Sequence, residues 1–170
     1  MIKSKLSQTA LKLHEKLTHR KILARMEELN RTQWLSRNDL LELQSEKLQN
    51  LVEYAYQYVP FYRRVFDEVG FRPEDYSQNP ESFSKLPILT KSIIKENWDD
   101  LLTTEPVRRQ ELTKLATSGS TGQPLVFMQD SDFRDSVTAD IQRHMGWAGW
   151  KLGDLHAMIW GAPQNPPFSR

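Results

Sequence analysis

The segment from Thr117 to Pro124 constrains the fold more than any other, because it sets a glycine- and hydroxyl-rich turn between two short apolar stretches. Residues 112–117 precede the turn and residues 125–128 follow it, and both stretches predict β-strands. Glycine lets the backbone turn back and gather its N–H groups into one concavity, and hydroxyls add rotatable donors for phosphate oxygens. The residues predicted to bind a polyphosphate are Thr117, Ser118, Gly119, Ser120, Thr121 and Gly122.

Two alternatives apply to this segment. A Walker A loop needs a lysine directly after its second glycine, but here Gln123 follows Gly122. A flexible linker is the second alternative for a run rich in Ser and Gly. The apolar, β-branched stretches flank this run closely on both sides and Pro124 closes it, which favours a turn within a sheet over a linker.

The residues after the second strand predict a helix and a further strand. Asp130 or Ser131 can cap the helix, whose apolar residues recur at four-residue steps: Phe133, Val137, Ile141 and Met145. Residues 155–160 predict a third strand. Strands and helices in this order predict the α/β class, with the start of a sheet backed by helices.

The amino-terminal residues predict one long helix that reaches about Asn30, with Leu and Ala recurring at three- and four-residue steps. Its polar face is basic, with Lys and Arg opposed by Glu15 alone. This face either binds an anionic lipid surface or a partner, or is solvated on a helix that packs against the body. The second role is favoured because the apolar side offers no Trp or Phe to enter a lipid interface.

Further helices are predicted up to about residue 105. Ser36 and Asp39 have the spacing of a capping box, Pro60 ends that helix and can open the next, and Gly70 is a natural helix terminator. Residues 71–89 are predicted to be loops broken by prolines, and Thr90 is predicted to cap a helix containing Ile93, Ile94, Trp98, Leu101 and Leu102. The aromatic residues between positions 54 and 62 are predicted to be core residues rather than a platform for nucleic-acid bases.

Composition excludes several classes of function. The formal net charge of +1 gives no overall attraction to nucleic acid, and the absence of cysteine excludes disulfides, thiolate metal sites and cysteine nucleophiles. No apolar run approaches the roughly 18 residues of a membrane span, and no uninterrupted apolar stretch near residue 1 predicts a signal peptide. Cytoplasmic localisation is therefore expected.

The glycine-rich turn resembles the phosphate-binding signature of the adenylate-forming superfamily, which includes acyl-CoA synthetases, firefly luciferase and nonribosomal peptide adenylation domains. Two upstream stretches, 59–63 (Val-Pro-Phe-Tyr-Arg) and 85–91 (Lys-Leu-Pro-Ile-Leu-Thr-Lys), are similar to the phenylacetate-CoA ligase branch, whose relatives include proteins tied to capsular polysaccharide. The resemblance covers roughly residues 45–165. Many superfamily members have a lysine after the proline of the turn, where this chain has Leu125, but the phenylacetate-type branch commonly lacks it.

The resemblance implies an enzyme that uses ATP and Mg²⁺ to activate a small-molecule carboxylate and then transfers the acyl group to a thiol, that of coenzyme A being expected. It implies that residues 117–122 hold the ATP phosphates, and it assigns no catalytic residue and no metal ligand within this chain. The adenine- and ribose-binding segments, an acidic residue for magnesium and a mobile carboxy-terminal domain with a catalytic lysine are not found before Arg170. The chain is therefore expected to be an amino-terminal fragment of a longer ligase.

Three parts are expected: a basic helical extension at residues 1–35, a helical part at 36–105, and the start of the ATP-binding subdomain at 106–170. Two rival functions remain, a phosphoryl-transfer NTPase and a non-catalytic helical interaction module with a Ser/Gly linker. The four histidines lack a partner at a recognised metal-ligand spacing, so structural roles are expected for them. Trp147, Trp150 and Trp160 are expected to pack in the core, and Arg134 and Arg143 to be solvated.

Overall fold

The computed structural model describes residue 10, residues 12 and 13, and residues 15–117, 124–151 and 154–157. This part of the chain is mostly helical and contains a two-stranded antiparallel sheet, which is compatible with the α/β class. Its elements are α1 (Ile22–Thr32), α2 (Arg37–Tyr58), α3 (Pro60–Glu68), α4 (Pro73–Gln78), a 3-10 helix (Pro80–Lys85), α5 (Lys91–Glu96), α6 (Pro106–Glu111), β1 (Thr113–Ala116), β2 (Val126–Gln129) and α7 (Ser131–Trp147).

The prediction of one continuous amino-terminal helix is wrong. Residues 15–18 are helical, but His19 has a φ of 55°, in the left-handed region that interrupts a right-handed helix. The Glu15 carbonyl accepts a hydrogen bond from the Arg20 N–H at 3.1 Å, and its carboxylate accepts one from the Leu23 N–H at 2.8 Å. Glu15 thus closes the turn around His19 and satisfies a free N–H in the first turn of α1.

The predicted boundaries of α2 and α3 are confirmed. The Ser36 hydroxyl accepts a hydrogen bond from the Asp39 N–H at 3.2 Å, and the Asp39 carboxylate accepts one from the Ser36 N–H at 3.3 Å. Pro60 ends α2 and occupies the first position of α3, where its missing N–H costs nothing. Gly70, with a φ of 64°, follows α3 in the left-handed conformation that glycine adopts without strain.

The predicted loop at residues 71–89 is wrong in part, because Pro73 opens α4 and Pro80 opens the 3-10 helix. Proline at the first position of a helix initiates it, since its φ is already helical. Thr90 caps α5 as predicted, its hydroxyl accepting from the Ile93 N–H at 3.3 Å. This helix ends at Glu96, however, so residues 98–102 lie in turns and a bend rather than in a helix.

An aromatic core holds α2, α3 and α4 together. It consists of Val52, Phe66, Phe71 and Tyr76, each at most 8% exposed, with Leu48, Tyr56, Tyr62, Val65 and Leu86 packed against it. The Phe66 and Phe71 rings lie edge to face with their centroids 4.9 Å apart, a favoured aromatic geometry. Tyr56 and Tyr62, two of the aromatic residues predicted to lie in the core, therefore do pack against this cluster.

The helix after the sheet begins where predicted, with the Asp130 carboxylate accepting from the Phe133 N–H at 2.7 Å. The apolar residues at these four-residue steps do not form its buried face. Phe133, Val137 and Ile141 are 52%, 41% and 52% exposed, whereas Asp135 and Ala139 are 2% and 0% exposed. The face that carries Asp135 and Ala139 is covered because α1 packs along it.

The third strand predicted at residues 155–160 is not observed where the structure describes it. Residues 154–157 have no regular secondary structure, and residues 158–160 lie outside the described residues. Among the described helices, none combines the length and the hydropathy needed to cross a membrane.

Candidate functional site

The predicted phosphate-binding segment connects the two strands of a hairpin. Consecutive residues pair across it in antiparallel register, from Thr113 with Gln129 to Ala116 with Val126. Beyond the last pair, the Thr117 N–H donates to the Leu125 carbonyl at 2.9 Å, and the Leu125 N–H donates to the Thr117 hydroxyl at 3.0 Å. These two bonds fix the distance between the ends of the segment.

The structure places one of the six predicted phosphate-binding residues. Thr117 directly follows β1, and its hydroxyl oxygen accepts a hydrogen bond from the Leu125 N–H, so this side chain braces the hairpin. Ser118, Gly119, Ser120, Thr121 and Gly122 lie outside the described residues. Their role therefore stays a prediction.

The opposite end of the hairpin is fastened to the helices by polar contacts. Arg108 on α6 binds the Asp130 carboxylate at 2.7 Å and the Glu105 carboxylate at 3.1 Å. Arg134 on α7 donates to the Thr113 hydroxyl at the start of β1. Because α6, β1 and α7 are joined in this way, the hairpin projects from a braced base.

A cleft of about 340 Å³ lies between this base, the end of α2 and the turn at residues 101–103. Its lining is mainly apolar, with Leu102, Phe127 and Met128 among the contributors. Its polar groups include the Tyr54 hydroxyl, which lies 2.6 Å from the Thr103 hydroxyl. The Arg108 guanidinium lies 5.0 Å from the centroid of the Tyr54 ring, within the range of a cation–π interaction.

Two groups beside the cleft have shifted pKa values. Burial raises the pKa of the Tyr54 phenol, so it stays protonated and can donate a hydrogen bond at neutral pH. Burial alone would lower the pKa of Arg108, but its hydrogen bond to Asp130 and the negative charges of Asp130 and Glu105 together outweigh burial, and the pKa is raised. Neither residue was singled out from the sequence as a site residue, because their partners lie 49 and 22 residues away.

The amino-terminal segment is joined to α7 by ion pairs. The buried Asp135 carboxylate accepts from the Arg20 guanidinium and, at 2.6 Å, from the Lys21 N–H. Asp132 accepts two hydrogen bonds from the Arg25 guanidinium at 2.9 and 2.8 Å. The prediction that this basic face is merely solvated is therefore wrong for Arg20 and Arg25, which bind carboxylates of α7.

Other side chains weighed in the sequence have different surroundings from those expected. Trp147 is 66% exposed instead of packing in the core, and its indole N–H donates to the Gln33 amide oxygen at 3.1 Å. The Arg143 side chain is only 17% exposed and binds Asp140 at 2.7 Å, so it is not a solvated cation. Arg134 is half-buried as well, and its guanidinium donates a hydrogen bond to the Thr113 hydroxyl.

No cluster of three or more His, Asp or Glu side chains suited to a metal ion occurs within the described ranges. His156 lies edge to face with Trp150, their ring centroids 5.5 Å apart, and His144 packs on Trp147 in the same way at 4.6 Å. These two histidines make aromatic contacts at the surface.

Comparison with known proteins identifies the class of this chain. No protein-family model matches it. It is 38% identical over 120 residues to the phenylacetate-coenzyme A ligase of Thermus thermophilus, a match that covers 70% of this chain and 26% of that protein. It is 29% identical over 125 residues to the phenylacetate-coenzyme A ligase of Escherichia coli, covering 73% and 28%. Protein CapK of Staphylococcus aureus is 29% identical over 90 residues, covering 53% and 19%.

The chain is therefore homologous to the phenylacetate-coenzyme A ligases, and it has a CapK relative as well. The resemblance inferred from the glycine-rich turn and the two upstream stretches is confirmed. The matched residues span about a quarter of the length of the phenylacetate-coenzyme A ligases, at 26% and 28%.

Proposed function

We propose that this chain supplies the phosphate-binding loop of an ATP-dependent ligase that activates a small-molecule carboxylate and forms a thioester with coenzyme A. The observation that supports this proposal most strongly is the 38% identity with a phenylacetate-coenzyme A ligase. The glycine-rich segment between β1 and β2 supports the adenylate-forming type of chemistry, because it offers uncharged donors and lacks the lysine of a Walker A loop.

The first step needs stabilisation of negative charge. A carboxylate attacks the α-phosphorus of ATP, an acyl adenylate forms and pyrophosphate leaves. The N–H groups of residues 118–122 and the hydroxyls of Ser118, Ser120 and Thr121 would donate to the β- and γ-phosphates, where charge accumulates as the bond to the α-phosphorus breaks. The carboxylate is already a nucleophile at neutral pH, so this step needs no general base from the chain.

The Thr117–Leu125 contacts support this role by holding the ends of the loop together. Donors act on a transition state most effectively when they need not reorganise. Two hydrogen bonds of 2.9 and 3.0 Å fix where the loop leaves β1 and re-enters the chain before β2. Thr117 is then a positioning residue, since its hydroxyl oxygen already accepts the Leu125 N–H.

Mg²⁺, when bound, would neutralise phosphate charge and orient the leaving group. The described residues contain no carboxylate cluster that fits it. In the second step the thiol of coenzyme A would displace AMP from the acyl group. We assign no residue of this chain to that step.

A titration of the 170-residue chain, followed by NMR, tests which part of ATP the loop binds. Amide resonances of residues 117–123 should shift when Mg-tripolyphosphate is added, and adenosine should leave them unchanged. Each hydrogen bond to a hydrated phosphate contributes only about 0.5–3 kcal/mol, and ordering the loop costs about 1–2 kcal/mol per residue. The 170-residue chain should therefore bind no tighter than millimolar and show no pyrophosphate exchange. Shifts with adenosine but not with tripolyphosphate would contradict the assignment.

A loop substitution tests the complete ligase. Gly119→Val should abolish carboxylate-dependent ATP–pyrophosphate exchange without unfolding the protein, because a β-branched side chain blocks both the turn and the approach of phosphate. Ser84→Ala removes an exposed hydroxyl elsewhere and should leave exchange unchanged. Undiminished exchange in the Gly119→Val enzyme would refute a phosphate-binding role for this loop.

A further inference from the structure

The side chain of Arg108 joins the hairpin to the helical part of the chain. Its guanidinium donates to Asp130 Oδ2 at 2.7 Å, at the residue that directly follows β2, and it lies 5.0 Å from the centre of the Tyr54 ring on α2. The other oxygen of the same carboxylate, Oδ1, accepts from the Phe133 N–H and caps α7. The Asp130 carboxylate therefore links the end of β2, the start of α7 and the cation on α6.

The segment that leads into the helix of Arg108 is itself anchored to α2. The Thr104 N–H donates to the Tyr58 carbonyl at 2.7 Å, and the Thr103 hydroxyl lies 2.6 Å from the Tyr54 hydroxyl. The Arg109 guanidinium donates to the Thr103 carbonyl at 3.0 Å. Because α2 contributes to the aromatic core, these contacts hold α6 in place relative to that core.

A contact at the base of the hairpin strongly affects where its far end lies. Leu125 precedes Asp130 by five residues, which is about 17 Å of extended chain. A tilt of about 5° at the base would therefore move the end formed by Thr117 and Leu125 by about 1.5 Å. A misplacement of about 1 Å in an active site can lower a rate by about a hundredfold.

We propose that Arg108 is a positioning residue of the ligase, which sets the angle of the hairpin and so the place where its far end presents the phosphate-binding loop. This inference rests on the proposed function, because the loop must bind ATP for its place to matter. The Ser131 hydroxyl also donates to the Glu111 carboxylate, which ties α6 to the start of α7 as well. Arg108 differs from this contact because it also lies on Tyr54 and so relates the hairpin to α2.

Spin labels test the orientation of the hairpin in the 170-residue chain, which has no cysteine of its own. Cysteines for labelling would replace Leu41 on α2, which is 51% exposed, and Ala116 at the exposed far end of β1. Double electron–electron resonance then gives the distribution of distances between the two labels. Arg108→Ala should widen this distribution by about 1.5 Å or more, the displacement expected of a tilting hairpin.

Two further variants separate the ion pair from other effects. Asp130→Asn should widen the distribution as Arg108→Ala does, because asparagine still caps α7 but offers no charge to Arg108. The matched control is Arg72→Ala, which removes the same kinds of contact, an ion pair with Asp67 on α3 and a position 5.6 Å from the centre of the Tyr56 ring on α2. This control should leave the distribution unchanged.

Kinetics of the complete ligase test the consequence for the reaction. Arg108→Ala should lower the kcat of carboxylate-dependent ATP–pyrophosphate exchange about tenfold and change the KM for ATP little, as expected when stabilisation of the transition state is lost. Arg72→Ala should change neither.

Two results would overturn the positioning role. One is an unchanged label distribution in the Arg108→Ala chain. The other is undiminished exchange in the Arg108→Ala ligase when Gly119→Val abolishes exchange. Exchange that survives Gly119→Val would instead refute the proposed function on which the positioning role rests.

Discussion

The aromatic core and the contact between α1 and α7 are stabilised by different interactions. In the core, Phe66 and Phe71 are 2% and 0% exposed and pack ring on ring. At the α1–α7 contact the apolar contribution is small, from Ile22 at 8% and Ala139 at 0% exposure, and ion pairs join the helices. Apolar burial involves no charge, so it is neither screened by salt nor lost on protonation, whereas ion pairs are sensitive to both salt and pH.

The difference shows which part of the molecule can separate from the rest. The core elements lie between Leu48 and Leu86 and support one another locally. The α1–α7 contact joins residues 107 to 115 positions apart and rests on the few charges that make it. We therefore expect α1 to detach from α7 under conditions that leave the aromatic core folded.

The largest effect is expected from Phe71→Ala. Removing a fully buried phenylalanine leaves a cavity and costs about 3–5 kcal/mol, a large fraction of the stability of a small domain. The denaturation midpoint followed by circular dichroism should fall accordingly. Phe83→Ala is the control, because Phe83 borders the same cluster but is 40% exposed. Equal losses in both variants would mean that this cluster is not a packed core.

A smaller, local effect is expected from Asp135→Asn. The amide can still accept one hydrogen bond, but the charge opposite Arg20 is lost, at a cost of about 1.5–3 kcal/mol. Amide hydrogen exchange should become faster across residues 22–32 and stay unchanged across residues 52–76. Asp67→Asn removes an exposed partner of Arg72, and it should leave exchange across residues 22–32 unchanged. Faster exchange throughout the core of the Asp135→Asn variant would contradict independent detachment of α1.

The smallest effect is expected from acid. The hydrogen bond from Lys47 lowers the pKa of Glu28. Burial alone would raise the pKa of Asp132, but the hydrogen bond from Arg25 and the positive charges of Arg25, Lys21 and Arg108 together outweigh burial, so this pKa is lowered as well. A lowered folded-state pKa means that each carboxylate stabilises the fold above its ordinary pKa of about 4, and that this contribution disappears as the pH falls through the lowered value. Exchange at residues 22–32 should accelerate below about pH 4 before exchange in the core does. Simultaneous acceleration in both regions would argue against this order.

Sequence reasoning succeeded where the determining interactions are local. The capping box at Ser36, the break at Pro60 and the left-handed Gly70 each depend on neighbouring residues and are confirmed. It failed where the structure depends on residues that are distant in the sequence. Periodicity predicted that α7 is a helix, but it did not show that α1 covers the face with Asp135 and Ala139.

For the candidate site, too, the sequence predicted the local features and missed those that depend on distant residues. The strands that flank the glycine-rich turn were predicted to within one residue at each end, because their apolar pattern and the turn are adjacent. The cleft beside the hairpin base was not predicted, since it brings together Tyr54, Thr103 and Phe127 from three separate parts of the chain. Nothing in the local pattern around any one of them indicates the other two.

The sequence separation of Arg20 and Asp135 also bears on synthesis by the ribosome. Asp135 emerges 115 residues after Arg20, which at about 5–20 residues per second is a delay of roughly 6–23 s. The aromatic core is complete once Leu86 has been made, so a folded intermediate can precede the docking of α1. Throughout that interval the basic residues of the nascent amino-terminal segment lack their carboxylate partners on α7 and are accessible to chaperones or to ribosomal RNA.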